Sequence, residues 1–214
     1  MFKFRTRLPV SLFAIIFSIT IFTSNNIQSL NEESEYIIDS EVNFEEAISG
    51  KNIPESIIVN VRLVDVYYYG FDEKLHKGQL VVHKEVVLDI IEIFEFMRET
   101  HFPISKVVPI NKYDWSDEKS MQDNNTSAFN YRYISGTRVI SNHASGLAID
   151  INPMLNPYIK NGNSLPANCV YDTTKAGTIL AESDLVKEFK NKGWQWGGDW
   201  ISLKDYQHFE KNLK

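Results

Sequence analysis

Apolar positions recur along the chain with two different periods. Over Lys84–Thr100 they fall at three- and four-residue steps, with Val86, Val87, Ile90, Ile91, Phe94 and Met97 lining one face. That spacing predicts a helix, stopped before Pro103. A second helix is predicted over Leu180–Lys192, with Ser183 or Asp184 near its start and Gly193 at its end. A short one is predicted over Phe44–Ile48, ended by Gly50 and Pro54. Ile57–Tyr69 is rich in β-branched and aromatic residues with partial alternation, Gly70–Lys74 reads as a turn, and Gln79–His83 resumes strand character. Together these predict a hairpin. Val107–Ile110 and Ala148–Asn152 predict further short strands, and polar residues 111–130 a long loop of the kind that is often functional. The tail, Gly193–Phe209, is dense in Trp, Gly, Asp and Tyr. Helices flanking several short strands define an α+β class.

The first residues stand apart. Lys3, Arg5 and Arg7 precede an apolar run from Val10 to Phe22. Thirteen residues suit the apolar region of an export signal, whereas a spanning helix wants about 20. Basic charge on the N-terminal side keeps that end in the cytoplasm. Residues 1–24 are therefore expected to be a signal peptide or N-terminal anchor, and the remainder to be exported to the periplasm or the cell exterior. Contact with a membrane is expected only through this segment, where it stays uncleaved. Residues 25–41 read as an acidic linker, and 42–214 as the folded domain.

Charge sharpens this division. The chain carries −6 overall, but residues 1–30 hold +3 and residues 31–55 hold −7, which leaves −2 for the rest of its 214 residues. The body is nearly neutral, with no basic face for nucleic-acid phosphates. One cysteine, Cys169, excludes an internal disulfide and a multi-cysteine zinc site.

Candidate chemistry lies in three polar stretches: Ser141–Asp150, Asp205–His208 and Asn130–Arg132. Leu147, Ile149 and Ile151 alternate toward one face of a strand, so Ala148, Asp150 and Asn152 take the other. A carboxylate at such a position needs a cation or hydrogen bonds. Ala144, Ser145 and Gly146 allow a turn that brings His143 back over the strand, and His208 completes a His-Asp-His set. Zinc accepts these donors with one position left for water, and iron or manganese would accept them too. Asp205, three residues before His208, is placed to act as general base toward a metal-bound water. Arg132 is placed to hold a substrate carboxylate or a developing oxyanion. His76, His83 and His101 lie outside these clusters and read as structural or surface residues.

These residues carry a resemblance. Ser141-x-His143-x6-Asp150 with Asp205-x-x-His208 resembles the zinc D-Ala-D-Ala carboxypeptidase and L-alanyl-D-glutamate endopeptidase family, which includes vancomycin-resistance dipeptidases and phage endolysins. Phe102–Ile104, Ser120-Met121, Asn124–Arg132, Ala148–Pro153, Asn156–Tyr158 and Gly193–Trp200 extend the likeness over roughly residues 42–210. The resemblance implies a small antiparallel sheet carrying the zinc site and flanked by helices, a fold shared with Hedgehog domains. It implies one zinc per chain, held by His143, Asp150 and His208. It implies Asp205 as catalytic acid/base, Arg132 as the substrate and oxyanion arginine, and Ser141 as a substrate contact. The substrate implied is a peptidoglycan stem peptide, cut as an L-Ala-D-Glu endopeptidase or a D,D-carboxypeptidase. A non-catalytic zinc module that binds the wall or a partner is the alternative, since the same fold serves in Hedgehog signalling.

Overall fold

A computed structural model of the chain describes residues 36–213. The predicted leader, and the predicted linker as far as residue 35, lie outside the described residues. The order opens with β1 (Ile37–Ile38), two helical turns α1 (Phe44–Ala47) and α2 (Glu55–Ile58), and the hairpin β2 (Val61–Tyr69) and β3 (Leu75–His83). The hairpin pairs along its full length, Val61 opposite His83 and Tyr69 opposite Leu75, and the Gly70 N–H bonds the Lys74 carbonyl at 2.9 Å to close it. Its strands are displaced from the predicted ones. Pro54 starts α2 and takes Ile57 and Ile58 out of β2, while β3 begins at Leu75, ahead of Gln79.

Residues 36–41 are not linker. β1 runs parallel to β3, with Ile37 opposite His76. Asp39 accepts from the buried Tyr68 hydroxyl and faces His76 Nδ1 at 3.0 Å. Gln79 Oε1 then accepts from Ser40 Oγ and the Val42 N–H. The acidic composition of this stretch hides two side chains, Asp39 and Ser40, that are spent on pairing it to the sheet.

Across the β2–β3 hairpin packs α3 (Val87–Glu99), preceded by a 3-10 turn at Lys84–Val86. Val86 of the turn and Ile90, Ile93, Phe94 and Met97 of α3 are fully buried, each worth about 1.5–3 kcal/mol relative to exposure. The predicted face was rotated slightly: Ile93 is in the core, and Ile91 is exposed.

Val107–Ile110 forms no strand. Asn125 takes the place of a strand partner there. Its Oδ1 accepts from the Val108 N–H at 2.9 Å and its Nδ2 donates to the Val108 carbonyl at 3.0 Å. The predicted loop of 111–130 contains a 3-10 turn, Ile110–Tyr113, and α4 (Asp117–Gln122), which is capped by Ser116.

The second half contributes two further three-stranded sheets. One joins β4 (Ala148–Asp150), β9 (His208–Glu210) and β7 (Gln195–Trp196), with β9 in the middle. The other joins β5 (Tyr158–Lys160), β6 (Asn163–Leu165) and β8 (Lys204–Asp205), with β5 in the middle. Both are antiparallel. Between β6 and β7 lies α5 (Asp184–Asn191), which starts four residues after the predicted Leu180 and is capped by Ser183, one of the two residues the sequence offers there; its Leu185, Val186 and Phe189 join the core with Trp194 and Trp196. Small sheets and few helices make this an α+β protein. Among the described residues no helix is long and apolar enough to cross a membrane. Cys169 is half-buried, and burial pushes its thiol pKa up.

Much of the chain beside β4 is irregular yet buried, so its backbone polar groups need side-chain partners. Asn152 Oδ1 accepts from the Ser105 N–H, and its Nδ2 donates to the Pro103 and Gly177 carbonyls. Asn156 Nδ2 donates to the carbonyls of Ile151, Asn152 and Gly177, and its Oδ1 accepts from the Ile179 N–H at 2.7 Å. Both asparagines are wholly buried. Asn156→Ala strands the Ile179 N–H at about 1–3 kcal/mol and takes the side-chain donor from the Ile151 carbonyl, while the Asn152 and Gly177 carbonyls keep other donors. Urea denaturation is expected to show a loss of roughly 3 kcal/mol or more, while Leu88→Ala, at a side chain 71% exposed, moves stability by less than about 0.5 kcal/mol.

Candidate metal centre

Asp150 ends β4 and His208 opens β9, and the two residues are directly opposed in register. They therefore share a face of the sheet. His143 reaches the same face from a 3-10 turn, Asn142–Ser145. That turn is capped by Ser141, whose hydroxyl accepts from the His143 N–H at 3.3 Å. Gly146 ends the turn at φ +70°, and a Cβ there would lie 2.5 Å from the backbone nitrogen of His83. Only glycine meets both the left-handed backbone and the close approach to β3. The turn that the small residues Ala144–Gly146 predict is thus present, and it carries His143 onto the strand.

His143 Nε2 lies 3.2 Å from Asp150 Oδ2 and 3.2 Å from His208 Nδ1, while His208 Nδ1 lies 2.9 Å from Asp150 Oδ1. All three residues are at least nine-tenths buried, and their ligand atoms lie within 4.8 Å of one another. The outward ring nitrogens decide the protonation. His143 Nδ1 lies 2.6 Å from the Ala128 carbonyl, which can only accept, so Nδ1 carries the hydrogen. His208 Nε2 lies 3.1 Å from Glu210 Oε2 and donates to it. Two neutral imidazoles so held point their lone pairs at each other and at a carboxylate. Three buried acceptors converging this closely call for a cation between them, a metal ion or a proton. A divalent metal fits this donor set. In the absence of metal a proton does the same work: burial opposes the charged ring, but Asp150 and Glu210 push the His208 pKa up to about 10. Burial also disfavours ionised Asp150, yet His143 and His208 hold its carboxyl far below the usual range.

Asp205 closes β8 opposite Tyr158, and a turn at Tyr206-Gln207 leads to His208. Gly197 lies against both residues: a Cβ on it would sit 2.8 Å from Asp205 Cβ and 3.3 Å from His208 Cβ. Asp205 Oδ1 is buried with no hydrogen-bond partner. Burial pushes the Asp205 pKa up to about 6; His208 pulls it down and the charge of Asp150 adds to the rise. Arg132 is joined to the metal turn by its backbone, the Ser141 N–H bonding its carbonyl at 3.1 Å. Its side chain pairs with Asp117 at 3.0 Å. Trp200 lies beside the His208 ring, with centroids 5.4 Å apart, while Trp194 and Trp196 are core. His76, His83 and His101 are spent elsewhere: on Asp39 and Asp72, on capping Glu85, and on stacking against Tyr69.

Sequence reasoning missed Glu210, which orients His208 and is itself held by Asn142 Nδ2 at 2.7 Å. The signal was available, since a strand puts residues two apart on one face. Asp117 and Ala128 carried no such signal, because they approach from a segment that reads only as loop.

Two buried imidazoles and a carboxylate beside a further carboxylate with a raised pKa describe the centre of a metal-dependent hydrolase. Residues 135–211 match the family model described as D-alanyl-D-alanine carboxypeptidase. This stretch holds Ser141, His143, Asp150, Asp205 and His208, and the match supports the family that the motifs resemble and a peptidase activity. No solved structure matches the chain.

The inward lone pairs make metal and proton competitors. Zinc affinity is expected to rise by up to about tenfold per pH unit between pH 6 and 8, with about one proton released per metal bound. Competition with a chromophoric chelator at several pH values checks the first, and calorimetry in buffers of different ionisation enthalpy checks the second.

Proposed function

We propose that the protein is a zinc peptidase that hydrolyses peptidoglycan stem peptides at the L-Ala-D-Glu or the D-Ala-D-Ala bond. The observation that carries this reading is the convergence of His143 Nε2, His208 Nδ1 and the Asp150 carboxylate, with both outer ring nitrogens already engaged. These three side chains would hold one zinc ion per chain, in a fold of the Hedgehog and D-Ala-D-Ala carboxypeptidase kind. Zinc in a three-ligand site of this kind supplies Lewis-acid activation of water and of a carbonyl.

The chain's own groups supply the remainder. Asp205, with a pKa near 6, is mostly ionised at neutral pH and offers the unpartnered Oδ1 as proton acceptor. It takes a proton from the attacking water and returns it to the leaving amine nitrogen, so one C–N bond breaks as one C–O bond forms. Arg132 Nε, buried without a partner, donates to a substrate carboxylate or to the carbonyl oxygen as charge develops there. The Ser141 hydroxyl accepts from the His143 N–H and keeps its own hydrogen for a substrate oxygen. A leader-directed export would bring the domain to its substrate outside the cytoplasm, with no role for nucleic acid.

Incubation of the purified protein with peptidoglycan, with and without chelator, tests this reading by mass spectrometry of the products. Loss of single D-Ala units marks a carboxypeptidase, and stem peptides beginning at D-Glu mark an endopeptidase. Zinc-replete protein that releases nothing from several wall types would turn the reading to a binding module. Asp205→Asn is expected to keep its zinc and lose about 10²–10⁴-fold in kcat. An unimpaired rate in that variant removes Asp205 from the chemistry. His143→Ala is expected to lose the metal, checked by elemental analysis.

A further inference from the structure

We propose that Asp117 is a positioning residue that presents Asn130 and Arg132 to the substrate as a paired acceptor and donor. Asp117 opens α4, just behind the capping residue Ser116. Its Oδ2 lies 3.0 Å from Arg132 Nη2, and its Oδ1 accepts from Asn130 Nδ2 at 3.2 Å. One carboxylate thus holds two side chains that leave the chain on the same side. The backbone of both is tied to the metal turn: the Asn130 N–H bonds the His143 carbonyl at 3.0 Å, and the Ser141 N–H bonds the Arg132 carbonyl at 3.1 Å.

Once Asp117 has taken its share, one buried polar atom of each side chain is left over. Asn130 Oδ1 and Arg132 Nε are both buried without a hydrogen-bond partner, and Asn130 is only 2% exposed. Leaving such groups unpaired is costly, so a site that orients them pays off only when a ligand pairs them. A peptide unit has the complementary groups: an N–H for Asn130 Oδ1, and a carbonyl or terminal carboxylate oxygen for Arg132 Nε. The inference rests on the peptidase reading, because it takes a peptide as the ligand. The Asp117–Arg132 pair has side-chain exposures of 34% and 27%, where ion pairs add little to stability. Its use is to fix the direction of a guanidinium that would otherwise sample several rotamers.

The test is calorimetric binding of a stem peptide with a free C-terminal carboxylate to zinc-loaded full-length protein, in an Asp205→Asn background that suppresses turnover. Asp117→Ala is expected to weaken binding by about tenfold or more, with zinc content and melting temperature unchanged. Asp117→Glu, which restores a carboxylate, is expected to recover part of the loss. In the active protein KM is expected to rise more than kcat falls. Should Asp117→Ala fail to fold, Asp117→Asn preserves the shape and removes the charge, and the same weakening is expected. Equal binding by wild type and the Asp117 variants overturns the clamp alone. Loss of zinc or of melting temperature in parallel with binding also overturns it, by making Asp117 merely structural. A wild type that binds no stem peptide overturns the peptidase reading and the clamp with it.

Discussion

A carboxylate buried in a short strand, facing two imidazole nitrogens across which a metal ion or a proton must sit, is the constraint around which the second half of this protein is arranged. Asp150 would be too costly to bury alone. Its neighbours make the cost useful. The β4–β9 register sets His208 directly opposite it. The Ala128 carbonyl and Glu210 occupy the outer N–H of each ring. What remains is a pocket of lone pairs that a cation must fill, and this is a more specific statement than the presence of two histidines and an aspartate. The same logic explains Gly146, whose missing Cβ lets the His143 turn approach β3 closely enough to reach the strand.

The second theme is how so much irregular chain stays buried. Two of the three sheets have strands of only two or three residues, so ladders satisfy few of the backbone groups. Asparagine side chains serve in their place. Asn125, Asn152 and Asn156 each carry a donor and an acceptor, and each bonds backbone on a segment that no strand pairs. Asn124-Asn125-Thr126, which has the form of a glycosylation sequon, is part of this bracket: Asn124 Oδ1 accepts from the Met154 N–H, and Thr126 Oγ1 from the Asn152 N–H. These bonds hold the strand that carries Asp150 against the α3–β2–β3 core, so the metal face rests on rigid support.

The reactive side of the site shows a division of labour. The three central groups are oriented by bonds that saturate them. Asp205, Asn130 and Arg132, by contrast, each keep one buried polar atom without a partner. Native proteins rarely tolerate such atoms. Asn111, Thr178 and Gln207 keep such atoms as well, so an unpartnered atom marks Asp205, Asn130 and Arg132 only together with their place on the stretches that carry the family motifs.

The helix of α3, the β2–β3 hairpin and α5 were legible from residue order, because each rests on periodicity, local capping or turn residues; spacing offered His143, Asp150 and His208 only as candidates, which the resemblance named as ligands and which the fold brings together. The resemblance added the family, which the match over residues 135–211 supports. Other features were not legible. Residues 36–41 look like solvated spacer but pair with β3, since composition does not reveal which acidic side chain finds a buried tyrosine. Val107–Ile110 looks like a strand, but it takes a single bond from β3, the Gln79 N–H to the Val107 carbonyl, and the Val108 peptide is bonded by the Asn125 side chain. Asp117 and Ala128 have no local pattern at all, and Asn130 is marked only as the start of the polar stretch that ends at Arg132. Their roles arise from contacts between segments 13 to 15 residues apart, and such contacts depend on how the whole chain packs, which no local spacing encodes.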